Sequence, residues 1–451
     1  MRLILSGFRE NSKHGLFSRK TSSDFRETSK NVKILSIMTK VKFLWKTIRD
    51  VDVNGKQILM RADYNVPLSK KTGEIMDDFR IEASLPTIKY LTERGAKVVL
   101  ISHLGRPSSR EDKQFSLKPV AEDLSRKLGQ TVKFIDDCIG EKVEAATNKM
   151  SKGEVILLEN LRFYPEEKAN DRDFAKHLAQ DSHAELFVQD GFGVVHRAHA
   201  STAAVTEFLP SVAGFLLERE YVEIKSATDD PNRPLVAIMG GAKISDKIPL
   251  VKKFVEIADQ IVIGGAMANN FLKYQGKNIA NSLSEQDIDD TIREIMDAVS
   301  KKWGADYSKN FILPSDVAIA SDGDYHEDRV EVSLEGDQNP LYGKATILDL
   351  GPKSIANIMG VIAKAGTVIW NGDLGIDNVP QFSKASIAIA QTLAKNPQII
   401  SVVGGGDTAD FVRHWDQLRG GSFTHVSTGG GASLELMAGD ELPGIWDLMR
   451  K

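Results

Sequence analysis

Short apolar runs alternate with helical stretches along most of this chain, from Lys56 onwards. Runs that are apolar throughout are typical of strands buried on both faces, as in parallel sheets covered by helices. The pattern predicts an α/β fold with parallel, doubly wound sheets and helices on both faces. The expected strands are 57–62, 97–102, 132–135, 155–158, 186–189, 235–239, 261–263, 346–348, 367–370 and 399–403, and the clearest helices are 81–94, 120–128 and 174–179.

A helix-breaking stretch separates the two halves of this pattern. The helical segment 217–227 is followed at 229–234 by Asp-Asp-Pro-Asn-Arg-Pro, which favours a turn or loop. We interpret 217–232 as the connection between an N-terminal lobe, 38–216, and a C-terminal lobe, 233–434.

The first 37 residues have a different character. Arginines, lysines and serines dominate there, with few acidic residues. This composition resembles an organelle transit peptide. A disordered tail, or a wrongly assigned start codon with Met38 as the true start, is the favoured explanation. In each case residues 1–37 are excluded from the predicted fold.

The charge and cysteine content exclude several classes of protein. The net charge of −4 argues against a general nucleic-acid-binding role. A single cysteine, Cys138, cannot form an internal disulfide or a multi-cysteine metal site. No apolar run approaches the ~20 residues that span a bilayer. We expect a cytoplasmic protein without nucleic-acid or membrane partners, or an organellar one if 1–37 is a transit peptide.

Basic side chains follow the strands of the first half. Ligands of such sheets bind at the carboxyl ends of the strands. Guanidinium groups match phosphate and carboxylate oxygens in pairs, so the sequence predicts a small, multiply anionic substrate. Any one arginine taken alone fits a surface ion pair as well. The arginines are Arg61, Arg106, Arg162, Arg197 and, at a helix start, Arg80; His103, His196 and His199 accompany them.

Glycine-rich turns follow the strands of the second half, at 240–241, 404–406 and 429–431. Glycine lets backbone N–H groups converge on an anion, and a helix that starts there adds its positive end. Asp407 follows one turn as a candidate Mg²⁺ ligand, and Lys243 and Lys247 are expected on one helix face. Tight turns without a ligand, and a solvated lysine pair, are the alternatives. Together the halves indicate a phosphotransferase whose lobes close on a nucleotide and a small anion.

Seven segments, taken together, resemble the phosphoglycerate kinase family. They occur in the family's order from about residue 40 to the C-terminus. They are Arg-Ala-Asp-Tyr-Asn-Val-Pro at 61–67, Ser-His-Leu-Gly-Arg-Pro at 102–107, Glu-Asn-Leu-Arg-Phe at 159–163, His-Arg-Ala-His-Ala-Ser at 196–201, Gly-Gly-Ala-Lys at 240–243 continuing to Asp246-Lys247, the loop 404–408, and 427–435.

This resemblance implies two Rossmann-like lobes joined by a hinge helix, with residues 435–451 packing back on the first lobe. It implies reversible, Mg²⁺-dependent phosphoryl transfer between ATP and the carboxylate of 3-phosphoglycerate, which gives ADP and 1,3-bisphosphoglycerate. In glycolysis this reaction runs towards ATP. It also implies a monomer whose partners are these small molecules.

The resemblance assigns site residues as well. Asp63, Asn65 and Arg80 contact the carboxylate and hydroxyl end of 3-phosphoglycerate, and Asp407 binds Mg²⁺. The other assigned substrate residues are Tyr64, His103, Leu104, Gly105, Arg106, Arg162 and Arg197, of which the histidine and the three arginines hold the phosphate. The nucleotide residues are Lys243, Lys247, Asn371, Asn378, Gly405, Gly406, Asp407 and Thr408. Arg80, Lys247, Gly430 and Gly431 surround the transferring group.

Three residues depart from the family pattern. Asp373 stands where proline is usual, Asn378 where a ribose-binding glutamate is common, and Gly191 where alanine is usual. The first two motivate an alternative, a catalytically impaired homologue that acts as a nucleotide-binding or scaffolding protein. A dinucleotide dehydrogenase is disfavoured because the first strand ends in Arg61-Ala62-Asp63 rather than in the glycine motif of that class.

Overall fold

The computed structural model describes residues 41–451 except 322–324, 327–328, 336–340 and 342. The extension predicted at 1–37 lies outside the described residues. No described helix combines the length and the apolar character needed to cross a membrane.

Six parallel strands form the first sheet, in the order β3-β4-β2-β1-β5-β6. Its central strands are almost fully buried, because helices cover both faces. The strands are β1 (Gln57–Arg61), β2 (Lys97–Ile101), β3 (Val132–Ile135), β4 (Val155–Leu158), β5 (Leu186–Gln189) and β6 (Ser211–Ala213); the helices are α1 (Phe79–Glu93), α2 (Lys118–Leu128), α3 (Glu141–Thr147), α4 (Pro165–Lys168) and α5 (Arg172–Asp181).

A 15-residue helix, α6 (Phe215–Asp229), leads from the first sheet to the second. The second sheet is again six-stranded and parallel, in the order β15-β14-β13-β7-β8-β9. Its strands are β7 (Leu235–Met239), β8 (Gln260–Ile263), β9 (Phe311–Ile312), β13 (Thr367–Asn371), β14 (Ile400–Gly404) and β15 (His425–Val426); the helices around it are α7 (Ile248–Ile257), α8 (Gly265–Tyr274), α9 (Asp289–Trp303), α10 (Pro352–Ile362), α11 (Lys384–Ala394), α12 (Gly406–Trp415) and α13 (Gly431–Ala438). The last helix, α14 (Pro443–Trp446), lies against the first lobe. The predicted α/β architecture of two doubly wound parallel sheets is confirmed.

One predicted strand belongs elsewhere. The segment 346–348 lies in β12 (Thr346–Leu350), which pairs antiparallel with β10 (Asp316–Ala320) in a separate sheet completed by β11 (Val330–Ser333). This sheet has its own small apolar cluster, which includes Val317 and Leu272. The expectation of a parallel strand was wrong because an apolar run shows burial but does not show which strand lies beside it.

The last residues return to the first sheet. Gly444 N–H donates to Val195 O over 2.8 Å, and Met449 N–H donates to Ser211 O over 2.8 Å. The Arg450 guanidinium lies 4.5 Å from the ring centroid of Trp45, an N-terminal residue of the described chain. The backbone therefore passes between the two sheets twice, once through α6 and once between α13 and α14.

Candidate active site

Arg80 is held at the edge of the basic cluster by a carboxylate. As the second residue of α1, it donates from Nη1 to Asp63 Oδ2 over 2.8 Å and to Asn65 O over 3.3 Å. Its side chain is 29% exposed, whereas that of Asp63 is 7% exposed. Asp63 therefore holds one side of the Arg80 guanidinium, while the side chain is partly exposed. An incoming anion can replace Asp63 as the partner of Arg80.

Arg162 and Arg197 form the centre of the cluster. Arg162 Nη1 donates to Gly105 O over 2.7 Å, and Arg197 Nε donates to His196 Nε2 over 3.0 Å. Burial, together with repulsion from Arg197 and Arg61, lowers the pKa of Arg162 to about 10. Arg162 therefore remains charged at neutral pH, and an anion placed between the two arginines relieves their repulsion.

His103 is a neutral member of this cluster. It is buried, and that burial together with the surrounding arginines holds its pKa well below the ordinary value. Its Nδ1 lies 3.2 Å from Nη2 of Arg61, which can only donate, so Nδ1 accepts and Nε2 carries the proton. His103 can therefore donate a hydrogen bond to a phosphate oxygen without adding a charge.

Several predicted residues lie buried beneath the site and are not exposed to a ligand. Arg61 is fully buried and donates to Ser201 Oγ over 2.9 Å, so the structure corrects the expectation that it faces a ligand. Tyr64 is also fully buried, with its hydroxyl 3.0 Å from Ser84 Oγ, which rules out side-chain contact with a ligand in the cleft. Leu104 is buried as well. Around it, Asn65 Oδ1 accepts from the Gly105 amide over 2.8 Å.

The outlying basic residues differ in their surroundings. Arg106 is exposed, and the described part of the chain gives it no ion-pair partner. His199 is largely buried, with Nδ1 3.7 Å from the carboxylate of Glu167. Arg106 is therefore available to an anion from solvent, whereas His199 is part of the packing beneath the cluster.

On the second sheet, Lys247 points into a turn made almost entirely of glycine. It ends a short 3₁₀ turn, Ser245–Lys247, and its Nζ donates to Gly240 O over 2.8 Å. A Cβ on Gly372 would lie 2.2 Å from that carbonyl oxygen and 2.5 Å from Nζ, so only glycine fits there. The expectation that Lys243 shares a helix face with Lys247 was wrong: Lys243 lies exposed before the 3₁₀ turn that ends in Lys247, and the α-helix begins only at Ile248.

Burial lowers the pKa of Lys247 to about 8, although Asp373, Asp407 and Asp246 oppose the shift. Phosphate favours the charged amine, so nucleotide affinity should fall as pH rises from 7 to 9. The fall should reach about tenfold at pH 9, where the free amine is mostly neutral. Calorimetric Kd values for ADP across this range measure the effect.

Lys247→Arg is the matched control, because the guanidinium stays charged and the pH profile should flatten. Burial and the neighbouring Asp373 raise the pKa of Asp377 to about 8, so its carboxyl gains negative charge over the same range. The variant Asp377→Asn separates that contribution. A Kd that is constant between pH 7 and 9 in the unaltered protein would show that Lys247 does not contact the nucleotide.

Asp373 introduces a carboxylate beside Lys247 and Thr408. Its Oδ1 accepts from Thr408 Oγ1 over 3.0 Å, and Thr408 Oγ1 in turn accepts from the Gly372 amide over 2.8 Å. Burial and repulsion by Asp407 raise the pKa of Asp373, while the Thr408 hydrogen bond lowers it. The Thr408 hydroxyl must turn away from Asp373 before it can donate to a nucleotide phosphate.

Two helices of this lobe begin at glycine turns. Helix α12 begins at Gly406 after Gly405 at φ 88°, and α13 begins at Gly431 after Gly430 at φ 52°. Positive φ is accessible to glycine at little cost. Within the described part of the chain, the amides of Gly406 and Gly431 donate to no acceptor, so both helix ends can receive an anion.

The residues around Asp407 suit Mg²⁺ held jointly with phosphate. Mg²⁺ is commonly bound by one or two carboxylates, with phosphate oxygens and water as the other ligands. Asp407 lies in the first turn of α12, and no described group of three or more His, Cys, Asp or Glu side chains could hold a metal ion by itself. Asn371 is fully buried beside Gly405, and its Oδ1 and Nδ2 have no hydrogen-bond partner among the described residues. Asn378 is exposed.

The glycine turn at 428–431 lies next to residues of the first lobe. A Cβ on Gly431 would lie 3.4 Å from Nε2 of His196, the neighbour of Arg197. A Cβ on Gly193, beside Asp63, would lie 3.4 Å from Thr428 O. The turn at 428–431, which belongs to the second lobe, therefore borders the arginine cluster of the first.

Glu220 on α6 holds this turn and was missed in the sequence. It is fully buried and accepts from His425 Nε2 over 2.7 Å, Ser427 Oγ over 2.8 Å and Thr428 N over 2.6 Å. These donors keep its pKa below the ordinary value despite burial. The available sequence signal was a glutamate on the buried face of α6. A buried carboxylate needs hydrogen-bond donors, so its position predicts polar partners nearby.

A model of the phosphoglycerate kinase family matches residues 48–440. The chain belongs to this family. It is 47% identical over 407 residues to the phosphoglycerate kinase of Dictyoglomus turgidum, covering 90% of this chain and 98% of that one. It is 45% identical over 417 residues to the chloroplastic phosphoglycerate kinase of Volvox carteri, covering 91% and 87%.

Solved phosphoglycerate kinase structures have the same fold. The enzyme of Coxiella burnetii superposes with a TM-score of 0.76 at 35% identity, covering 89% of this chain and 98% of that one. The enzyme of Pyrococcus horikoshii gives a TM-score of 0.77 at 29% identity over the same shares. The predicted family, and with it the kinase class, is confirmed, and the scaffolding alternative is not favoured.

Proposed function

We propose that this chain transfers a phosphoryl group, with Mg²⁺, between ATP and the carboxylate of 3-phosphoglycerate, which gives ADP and 1,3-bisphosphoglycerate reversibly. The observation that carries the proposal is the position of the 428–431 turn, which joins the second lobe's phosphate-binding elements to the first lobe's arginine cluster at His196. A group bound at the amide of Gly431 is within the reach of both lobes.

The acceptor binds in the first lobe. Arg162, Arg197 and the exposed Arg106 hold its phosphate, and neutral His103 donates to the same group. Asp63 and Asn65 receive its hydroxyl end. Charge complementarity supports this orientation, because the arginines repel one another until a dianion separates them.

The nucleotide binds in the second lobe. Its phosphates contact Lys247, the Gly405 and Gly406 turn and Thr408, with Lys243 beside them and Asn371 and Asn378 nearer the ribose. Mg²⁺, held by Asp407 and the phosphates, would neutralise charge on the transferring group. Buried Lys247 supplies a further cation close to the same oxygens.

Alignment and charge neutralisation carry the transfer itself. The attacking carboxylate has no proton to lose, so no general base is required. The reacting atoms must approach within ~3–3.5 Å, which requires the lobes to close and also excludes the water that would hydrolyse an acyl phosphate. Arg80, released from Asp63, then lies with Lys247 and the Gly430 and Gly431 amides around the moving group.

One assay tests this function. ADP formation from ATP should require both 3-phosphoglycerate and Mg²⁺, and omission of either should abolish it. Calorimetry with ADP is run in parallel. Nucleotide binding without transfer would support the alternative of a nucleotide-binding or scaffolding homologue and overturn the proposal.

We propose a monomer, as the resemblance to the family implies. A free, buried Cys138 is compatible with a reducing compartment such as the cytoplasm. The lobes proposed here are 38–216 completed by 435–451, and 233–434, with 217–232 between them. The hydrogen bonds of Gly444 and Met449 to the first sheet support that division.

The exposed Asn378 offers a direct test of the nucleotide site. Asn378→Glu should tighten nucleotide binding by ~1 kcal/mol, the scale of one hydrogen bond, because a carboxylate accepts from a ribose hydroxyl more strongly than an amide. Calorimetric Kd values for ADP measure it. Asn378→Gln, equal in length but uncharged, should have little effect. Unchanged or weaker binding in Asn378→Glu would place the ribose contact elsewhere, with Asp377 the first candidate.

A further inference from the structure

Two arginines of the second lobe contact the helix start that carries Arg80. Arg419 donates from Nη2 to Asp78 over 2.6 Å and to Asp77 over 3.3 Å, and from Nη1 to Glu82 over 2.9 Å. Arg413, in the last turn of α12, donates from Nη2 to Asp77 over 3.4 Å. We call these five residues the inter-lobe network.

Arg413 also packs on the residue next to Arg80. Its guanidinium carbon lies 4.5 Å from the ring centroid of Phe79, and its side chain is only 13% exposed. Burial lowers the pKa of Arg413, and Asp77 raises it. Repulsion by the nearby Arg80 lowers it further. A cation that is shielded from water and stacked on an aromatic ring interacts more strongly than an exposed surface pair.

The inter-lobe network connects helix α12 of the second lobe to the start of α1, which carries Arg80. Helix α12 begins at the Gly405–Asp407 phosphate turn and ends near Arg413, whereas α1 begins at Phe79 and Arg80. Separation of the lobes would break every contact of Arg413 and Arg419 with Asp77, Asp78, Phe79 and Glu82. Within the first lobe, Lys127 Nζ lies 2.6 Å from Asp78 and 2.8 Å from Glu82, so part of the acidic charge stays neutralised after separation.

We propose that Arg413 and Arg419 are positioning residues for the transfer, which hold the first turn of α1, and with it Arg80, against the nucleotide lobe. Neither arginine touches a substrate in this proposal; each acts by favouring the arrangement in which the lobes are in contact. The proposal deepens the function given above and rests on it for its kinetic part, while its structural part concerns the lobes alone.

The test compares the double variant Arg413→Gln, Arg419→Gln with the unaltered chain. We expect kcat to fall about threefold to thirtyfold, the range for loss of four ion pairs of which one is shielded from water, while both KM values change less than about twofold. Small-angle scattering without substrates should show a larger radius of gyration. Activity of the unaltered chain should fall more steeply with added NaCl than that of the double variant.

Matched controls separate positioning from general stability. Arg293→Gln removes an exposed arginine whose partner, Asp290, lies on the same helix of the same lobe, and it should leave kcat and the radius of gyration unchanged. The lysine double variant, Arg413→Lys with Arg419→Lys, keeps the charge and should restore part of kcat. If loss of Arg413 lowers Tm, the single variant Arg419→Gln still tests the proposal. The Arg419 side chain is 43% exposed, so its loss should affect stability less.

The outcomes are distinct. An unchanged kcat together with an unchanged radius of gyration in the double variant overturns the proposal, as does an increase in KM alone. If the unaltered chain transfers no phosphoryl group, the proposed function fails, but scattering still decides whether the network holds the lobes together.

Discussion

Replacement of Arg80 by alanine should reduce kcat at least ~100-fold and change substrate affinity much less. Arg80 is paired with Asp63 in the structure, and we propose that it contacts the transferring group only when the lobes close. An interaction present mainly in the transition state is lost from turnover rather than from ground-state binding, and one such donor contributes roughly 10²–10³-fold. Steady-state kinetics with both substrates, together with calorimetric Kd values, measure the two effects separately.

Two further variants define the role of Arg80. Arg80→Lys should recover only part of kcat, because a point charge does not reproduce the two-pronged guanidinium. Arg106→Ala is the comparison within the same cluster: this exposed arginine is proposed to bind only the acceptor's phosphate, so its loss should weaken 3-phosphoglycerate binding more than it slows the bound complex. An Arg80→Ala protein with a raised KM and an intact kcat would make Arg80 one more anion-binding residue and remove the first lobe's main catalytic contact.

Loss of the Asp407 carboxylate should lower turnover by ~100-fold or more and leave 3-phosphoglycerate binding almost unchanged. A metal ion contributes several kcal/mol of charge stabilisation during phosphoryl transfer, and Asp407 is the carboxylate at the start of α12 where nucleotide phosphates are expected. Titration of activity with Mg²⁺ should shift to much higher concentrations in Asp407→Ala.

A binding measurement gives a second readout for Asp407. In the unaltered chain Mg²⁺ should tighten ADP binding, and in Asp407→Ala this gain should largely disappear, while ADP binding without Mg²⁺ should be kept or improved because a negative charge has been removed. If Asp407→Ala keeps the Mg²⁺ dependence of the unaltered chain, Asp407 serves only to stabilise the N-terminal turn of α12.

Most strands of the two main sheets could be predicted, because buried parallel strands are largely apolar and such runs are visible in a single sequence. The short strands β6 and β9 were not predicted. β12 shows the limit of that signal. Its apolar residues Ile347, Leu348 and Leu350 suggested a strand of a main sheet, yet it pairs antiparallel with β10 in a separate sheet. The neighbour of a strand depends on contacts distant in sequence, and no local pattern specifies it.

The candidate site was predictable in its chemistry and less so in its geometry. Arg61 and Arg162 both follow a strand, but only the structure shows that Arg61 is fully buried against Ser201 whereas Arg162 borders the cluster. The four-residue spacing of Lys243 and Lys247 suggested that both lie on one face of a helix. The α-helix begins only after both residues. Side-chain direction at a strand end depends on the loop that follows, and spacing does not determine it.

The inter-lobe network and Glu220 were missed for a related reason. Arg413 and Arg419 lie more than three hundred residues from the acidic residues that they contact. In the sequence they resemble ordinary surface charges, and only the fold brings them together. Contacts between lobes are therefore the part of this site for which a structure adds most.

The double passage of the backbone between the sheets has a mechanical consequence. A lobe attached by one flexible linker can tilt and twist about any direction, whereas a lobe attached at two separate points rotates most easily about the line that joins them. Here those points are α6 and the segment between α13 and α14. Opening and closing should therefore follow nearly one degree of freedom, so Arg80 and Lys247 approach each other along the same path in every catalytic cycle.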